Sequence, residues 1–180
     1  VREREDDHYV DVDNYAAGRN ATEYLIDRGR RRIATITGPL TMPAGIDRLQ
    51  GYRAALRGAG LDEAAVEDGN FTADGGAAAM ERILASGADF DALFVASDLM
   101  ARGALSVLER AGIRVPDDVA LVGFDDSPVA VSVVPQLTTM RQPSFAQGQK
   151  MADVLLAMLA GGRPPHMTIL DTELIVRDSA

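Results

Sequence analysis

Cysteine is absent from this chain, so disulfides and thiolate metal sites are excluded, as suits a cytoplasmic protein. Lysine is almost absent too: Lys150 stands alone and nearly all positive charge is arginine. No apolar run approaches the ~20 residues of a membrane-spanning helix. The start, Val1-Arg2-Glu3-Arg4-Glu5-Asp6-Asp7, is charged throughout and unlike a secretion signal. It also lacks an initiator Met, so a fragment or a processed chain is expected. With 18 basic against 27 acidic residues the net charge is −9, too few cations to grip phosphates, so DNA binding by this chain alone is disfavoured. The one basic cluster, Arg28, Arg30, Arg31 and Arg32, reads as a complement to the negative end of the helix before it.

Enzyme signatures are missing as well. There is no Gly-x-x-x-x-Gly-Lys-Ser/Thr loop, no Gly-x-Ser-x-Gly elbow and no Gly-x-Gly-x-x-Gly after a strand. Gly58-Ala59-Gly60 follows a helix and stops it. Asp125-Asp126 is suited to Mg²⁺, but no third carboxylate or phosphate-binding lysine accompanies it. His8 and His166 sit in polar surroundings with no partner histidine at metal-ligand spacing, and read as exposed and inert. No cofactor is implied.

What is present is a regular alternation. In 180 residues, 47% hydrophobic and 25% charged, strand and helix patterns follow each other with short turns between. Strands are predicted at Tyr9–Val12, Ile33–Thr37, Val66–Phe71, Ala92–Ala96 and Val119–Val122. Helices are predicted over 15–27, 45–58, one capped by Asp74 that buries Ala77, Met80, Ile83 and Leu84, and one capped by Ser97 or Asp98. The pattern implies an α/β fold, a parallel sheet with helices on both faces. Past Pro135 it changes. Thr138 to Gln142 reads as an extended connection, and Phe145 to Leu159 as an amphipathic helix with Gly148, Ala152 and Leu155 inward. Short strands follow at 168–170 and 174–176.

Ligands of open parallel sheets bind at the strands' carboxyl ends. Three such ends carry polar groups: Gly38 with the loop to Arg48, Ser97-Asp98, and Asp125-Asp126. Arg48 offers a planar fork of donors, Asp125 two acceptor oxygens suited to sugar hydroxyls or ring N–H groups, and Phe71 a flat apolar face. Each has a plainer alternative. Arg48 can pair with Asp47, Asp125 and Asp126 can cap a turn, Phe71 can be core, and Asp98 fits a helix N-cap better than a ligand group.

One long stretch is more specific. Val115-Pro116-Asp117-Asp118, then Gly123-Phe124-Asp125-Asp126, then Pro135-Gln136-Leu137-Thr138-Thr139 and Gln142-Pro143, resembles the end of the effector-binding domain of bacterial LacI/GalR-family repressors. Asp13-Asn14, Glu23-Tyr24-Leu25, Arg48, Asp98 and the closing Leu174-Ile175-Val176-Arg177-Asp178-Ser179 fall in the family's order, the last favouring repressors over periplasmic sugar binders.

The resemblance implies a periplasmic-binding-protein-like fold. Residues 15–140 with 172–180 would form a nearly complete C-terminal effector-binding subdomain. Residues 1–14 with 141–171 would be a remnant of the N-terminal subdomain, loosely ordered or paired with a neighbouring chain, and the DNA-binding domain would lie outside this chain. It implies a small-molecule effector, a sugar or a nucleobase, contacted by Arg48, Phe71, Asp125 and Gln142. Ser97, Met42 and Ala44 stand at site positions that are commonly more polar. With half the cleft missing, weak or absent effector binding is expected. A homodimer would form partly through the apolar segment carrying Val129, Val131 and Val133, unless that segment is tucked into the chain's own core. Operator DNA would be reached only through the absent domain. The rival expectations are a binding protein for sugar import and a flavodoxin-like enzyme.

Overall fold

A computed structural model describes residues 8–180; the charged start at 1–7, expected to belong to the N-terminal remnant, lies outside the described residues. In chain order the elements are β1 (Tyr9–Val12), α1 (Asn14–Asp27), β2 (Ile33–Thr37), α2 (Pro43–Ala59), β3 (Val66–Asp68), α3 (Ala73–Ala85), β4 (Ala92–Val95), α4 (Asp98–Arg110), β5 (Ala120–Asp125), β6 (Thr138–Arg141), α5 (Ser144–Leu159), β7 (Met167–Leu170) and β8 (Glu173–Ile175).

Six strands form the main sheet in the order β3-β2-β4-β5-β6-β8. The first five run parallel, and β8 returns antiparallel to β6. The β-branched run Ile33–Thr37 and the apolar run Ala92–Val95 are buried at every position, as strands covered on both faces must be. Alternate residues face opposite ways. Ile33, Phe94, Val122 and Phe124 pack under α1 and α2, while Ala34, Ile36, Leu93, Val95 and Leu121 pack under α3 and α4. The doubly wound core puts all five parallel carboxyl ends on one edge.

β1 and β7 pair separately as a two-stranded parallel sheet, Tyr9 opposite Met167, and α5 lies against β1. This part is thinly packed: Val154 is the one buried residue of α5.

Several expectations need correction. Residues 138–141 are not a mere connection but the fifth parallel strand of the main sheet, because Thr138, Thr139 and Met140 bury both their faces. Thr72, not Asp74, caps α3, its side chain accepting the Gly75 N–H; Asp74 sits in the first turn, and Ala77 and Leu84 are half-buried. Gly148, Ala152 and Leu155 of α5 are exposed; the helix is turned so that Val154 and half-buried Gln147 face inward, Gln147 donating to the Val10 carbonyl at 3.0 Å. The Val129–Val134 segment is a series of turns, with Ala130 buried, Val133 packed on the core and Val131 and Val134 exposed.

Candidate functional site

The carboxyl edge of the main sheet gathers the predicted polar groups. Arg48 lies on the inward side of α2 and is 5% exposed. Its Nε donates to Asn14 Oδ1 at 2.8 Å and a terminal nitrogen donates to the Ala96 carbonyl at 2.6 Å. That same nitrogen lies 3.8 Å from Asp125 Oδ1. The guanidinium stacks 3.5 Å above the centre of the Phe124 ring, with the Phe71 ring at 5.7 Å. Burial pulls its pKa down to about 10 against the pull of Asp125, Asp11 and Asp98, so it stays charged at neutral pH.

Asp125 ends β5. Its Oδ1 also accepts from Gln142 Nε2 at 2.6 Å, across the β5–β6 pair. Burial raises its pKa, opposed by Arg48, by Gln142 and by the backbone N–H of Asp98. Asp125 and Asp126 carry positive φ of 115° and 54°, a bend that turns both carboxylates out of the strand. Asp126 does more than cap a turn: it accepts from Arg141 at 2.7 Å and Arg177 at 2.6 Å, tying β5 and β6 to the chain's end.

Between these groups lies a cleft of about 280 Å³, lined by Ala44, Arg48, Phe71, Ser97, Leu99 and Asp125. Five of the seven predicted contact residues therefore meet at one cavity. Gln142 enters through its bond to Asp125, and Met42, half-exposed before α2, stands outside the lining. Phe71 belongs to the core and to the cleft wall at once. Its ring lies so close over Gly38 that a Cβ there would collide with it. Arg48 does not turn to Asp47 as its main partner, and Asp98 is not the cap: Ser97 Oγ accepts the Met100 N–H while Asp98 begins α4.

Three participants escaped sequence reasoning: Asn14, which orients Arg48; Phe124, the platform under it; and Leu99 in the wall. Asn14 left a trace in the Asp13-Asn14 pair, where Asp13 caps α1 and Asn14 is buried, and Phe124 in the Gly-Phe-Asp-Asp run; Leu99 left none.

Elsewhere, a groove of about 780 Å³ lies beside Arg28, Arg30, Pro116 and Arg177, but Arg30 and Arg177 are engaged: Arg30 donates to the Pro116 carbonyl at 2.8 Å and Arg177 to Asp126. Arg31 donates to the Ile26 carbonyl at the end of α1, as expected of the basic cluster. His8 and His166 do meet, stacked at 4.6 Å, because the β1–β7 register joins residues that sequence spacing separates. Among the described residues no group of three metal-ligating side chains forms, and no helix is long and apolar enough to cross a membrane.

Comparison with known proteins agrees with this fold. Residues 22–180 match the family model for the periplasmic binding protein-like domain. The chain is 51% identical to the transcriptional regulator CelR of Thermobifida fusca over 95% of its own length and 51% of that regulator's. It superposes on a CelR–cellobiose complex with a TM-score of 0.94 at 49% identity, covering 99% of this chain and 55% of that one. It superposes on the lac repressor dimer bound to operator and the anti-inducer ONPF with a TM-score of 0.90 at 29% identity, covering 94% and 59%. The chain thus spans about half the length of the curated relatives it matches. It belongs to the periplasmic-binding-protein-like domain family, in the form carried by LacI-family transcriptional regulators.

Proposed function

We propose that this chain senses a sugar in the cleft at the sheet's carboxyl edge and so controls a DNA-binding segment outside residues 1–180. The carrying observation is the pairing of buried Arg48 with half-buried Asp125, 3.8 Å apart at the mouth of an apolar-walled cleft. A charged donor fork beside an acceptor carboxylate matches neighbouring sugar hydroxyls, and Phe71 offers a face for the ring. The cellobiose complex of the 49%-identical regulator makes a β-linked disaccharide the first candidate.

The thinly packed part is the N-terminal remnant in this proposal. A two-stranded sheet is marginal alone, and α5 leaves Phe145 80% and Leu159 76% exposed. Residues outside this chain would cover that face and supply the cleft's second wall, and closure would follow the ligand's differential affinity for open and closed states. Of the proposed dimer contacts, Val131 is 51% exposed and Val129 half-exposed, whereas Val133 already packs inward; the neighbouring Val134, 94% exposed, joins the candidates.

Calorimetric titration of the full-length gene product with cellobiose, monosaccharides and nucleosides tests the proposal. Saturable binding of a sugar, lost in both Arg48→Ala and Asp125→Ala, is the expected result. Binding unchanged in both variants refutes the site.

A further inference from the structure

Asp98 is a fully buried carboxylate to which direct contact with a sugar gives no role. It opens α4 between Ser97 and Leu99, both of which line the cleft. Its Oδ1 accepts from the Thr139 hydroxyl at 2.7 Å, and its Oδ2 accepts from the Ser127 backbone N–H at 2.8 Å and the Ser127 hydroxyl at 3.2 Å. Its own backbone N–H donates to the Asp125 carboxylate. The side chain crosses β5 at Gly123, where a Cβ would come within 2.5 Å of Oδ1. Thr139 completes the network by accepting the Asp126 N–H at 3.4 Å.

These contacts gather around Asp125 and Asp126, both of positive φ. Such conformations are costly for a non-glycine residue and persist only where the surroundings over-determine them. Arg141 and Arg177 hold the turn from one side through Asp126. Asp98 holds it from α4.

We propose that Asp98 is a positioning residue for effector recognition: through Ser127 and Thr139 it locks the strained turn at 125–127, so that Asp125 aims its carboxylate into the cleft beside Arg48. The ligand arm rests on the sugar-sensing function proposed for this cleft; the bracing of the turn does not.

The test compares the full-length gene product with Asp98→Asn, which keeps the size but sets an amide donor against the Ser127 and Thr139 donors, and with the milder Thr139→Val and Ser127→Ala. Amide hydrogen exchange without sugar and titration with cellobiose are measured in each. The expected result is exchange at the Asp126 and Ser127 amides at least about tenfold faster with α1 and α2 amides unchanged, and cellobiose binding about 10- to 100-fold weaker. Adding Asp98→Asn to Asp125→Ala should weaken binding no further than Asp125→Ala alone, the mark of two residues acting as one unit. Unchanged exchange at Asp126 and Ser127 overturns the brace whatever the sugar does. So does exchange that rises uniformly over the molecule, or a loosened turn that leaves cellobiose affinity at the parental value. Failure of the parent to bind cellobiose or any monosaccharide defeats the sugar function instead, and the exchange pattern still decides the brace. If Asp98→Asn does not fold, Thr139→Val and Ser127→Ala decide the brace by the same two measurements.

Discussion

Arg48→Met removes a guanidinium held almost entirely out of water and leaves a side chain of similar length. Holding its pKa down at about 10, below the ordinary guanidinium value, corresponds to roughly 3 kcal/mol against the charged form, and the substitution relieves that penalty. Against it, Asn14 Oδ1 and the Ala96 carbonyl lose their donor, at about 1–3 kcal/mol each. Asp125 loses its nearest cation but keeps Gln142 and the Asp98 N–H. The stacking on Phe124 passes to a thioether, which also packs well on rings. The opposing contributions nearly cancel, and the expected change in unfolding free energy is within about 2 kcal/mol of zero. Ligand binding has no such compensation. Losing a charged donor to a sugar hydroxyl costs about 1.5–3 kcal/mol per bond, or about 10- to 100-fold in Kd for the first bond. Urea unfolding and calorimetric titration of the same sample read the two effects separately. A variant destabilised by about 4 kcal/mol or more, twice the expected bound, with parental sugar affinity would show that Arg48 serves the core, not the cleft.

Gly38→Ala should evict the Phe71 ring from the cleft wall and weaken sugar binding about tenfold, at about 1–3 kcal/mol in stability; parental affinity would show that the ring does not meet the ligand. Asp98 gives a pH signature of defined sign: burial raises its pKa from 3.8 to about 6 in the fold, so the stability from its proton is complete below pH ~4 and is lost as pH rises through about 6. Unfolding free energy of the parent relative to Asp98→Asn should therefore fall by up to roughly 3 kcal/mol between about pH 4 and pH 7, and a flat difference in urea titrations refutes the assignment. Tyr52→Phe should cost about 1 kcal/mol, because its hydroxyl donates to the Ile33 carbonyl at 2.7 Å in the core; a midpoint unchanged in urea would contradict it. In the isolated 180-residue chain, limited proteolysis should cut first within 144–171, and cleavage beginning instead in α1–α4 would contradict its looser packing.

Much of the main sheet was legible because burial on both faces forces continuous apolar, β-branched strands such as Ile33–Thr37 and Ala92–Val95. Strand ends then followed, and with them the placing of Arg48, Ser97 and Asp125 on one edge. What periodicity cannot supply is rotation and partner. The apolar pattern of α5 fits several faces, and Val154 turns inward where Leu155 was expected. β6 was obscured because Thr138 and Thr139, polar by type, are buried by a network: Thr138 accepts the Arg177 N–H and Thr139 donates to Asp98. Asn14 and Arg48 are 34 positions apart, and no local rule pairs them.

The residues that support the site share a property that ties fold to function. Asn14, Phe124, Asp98, Gln142 and Thr139 each touch Arg48, Asp125 or the turn after it, and none of the five lines the cleft. Two of them stand where the chain passes between the main sheet and the thinly packed part: Asn14 opens α1 just after β1, and Gln142 lies between β6 and α5. The charged groups that face the cleft are therefore hydrogen-bonded directly to crossing points of the backbone. A ligand that pulls on Arg48 or Asp125 also loads Asn14 and Gln142, and only a ligand that binds two orientations of the parts unequally can shift them. Asn14→Ala, which frees Arg48 from the first crossing, should then alter sugar affinity and the sugar-induced change in hydrogen exchange of β1 together; a change in affinity with the β1 response intact would mean that the crossing carries no coupling.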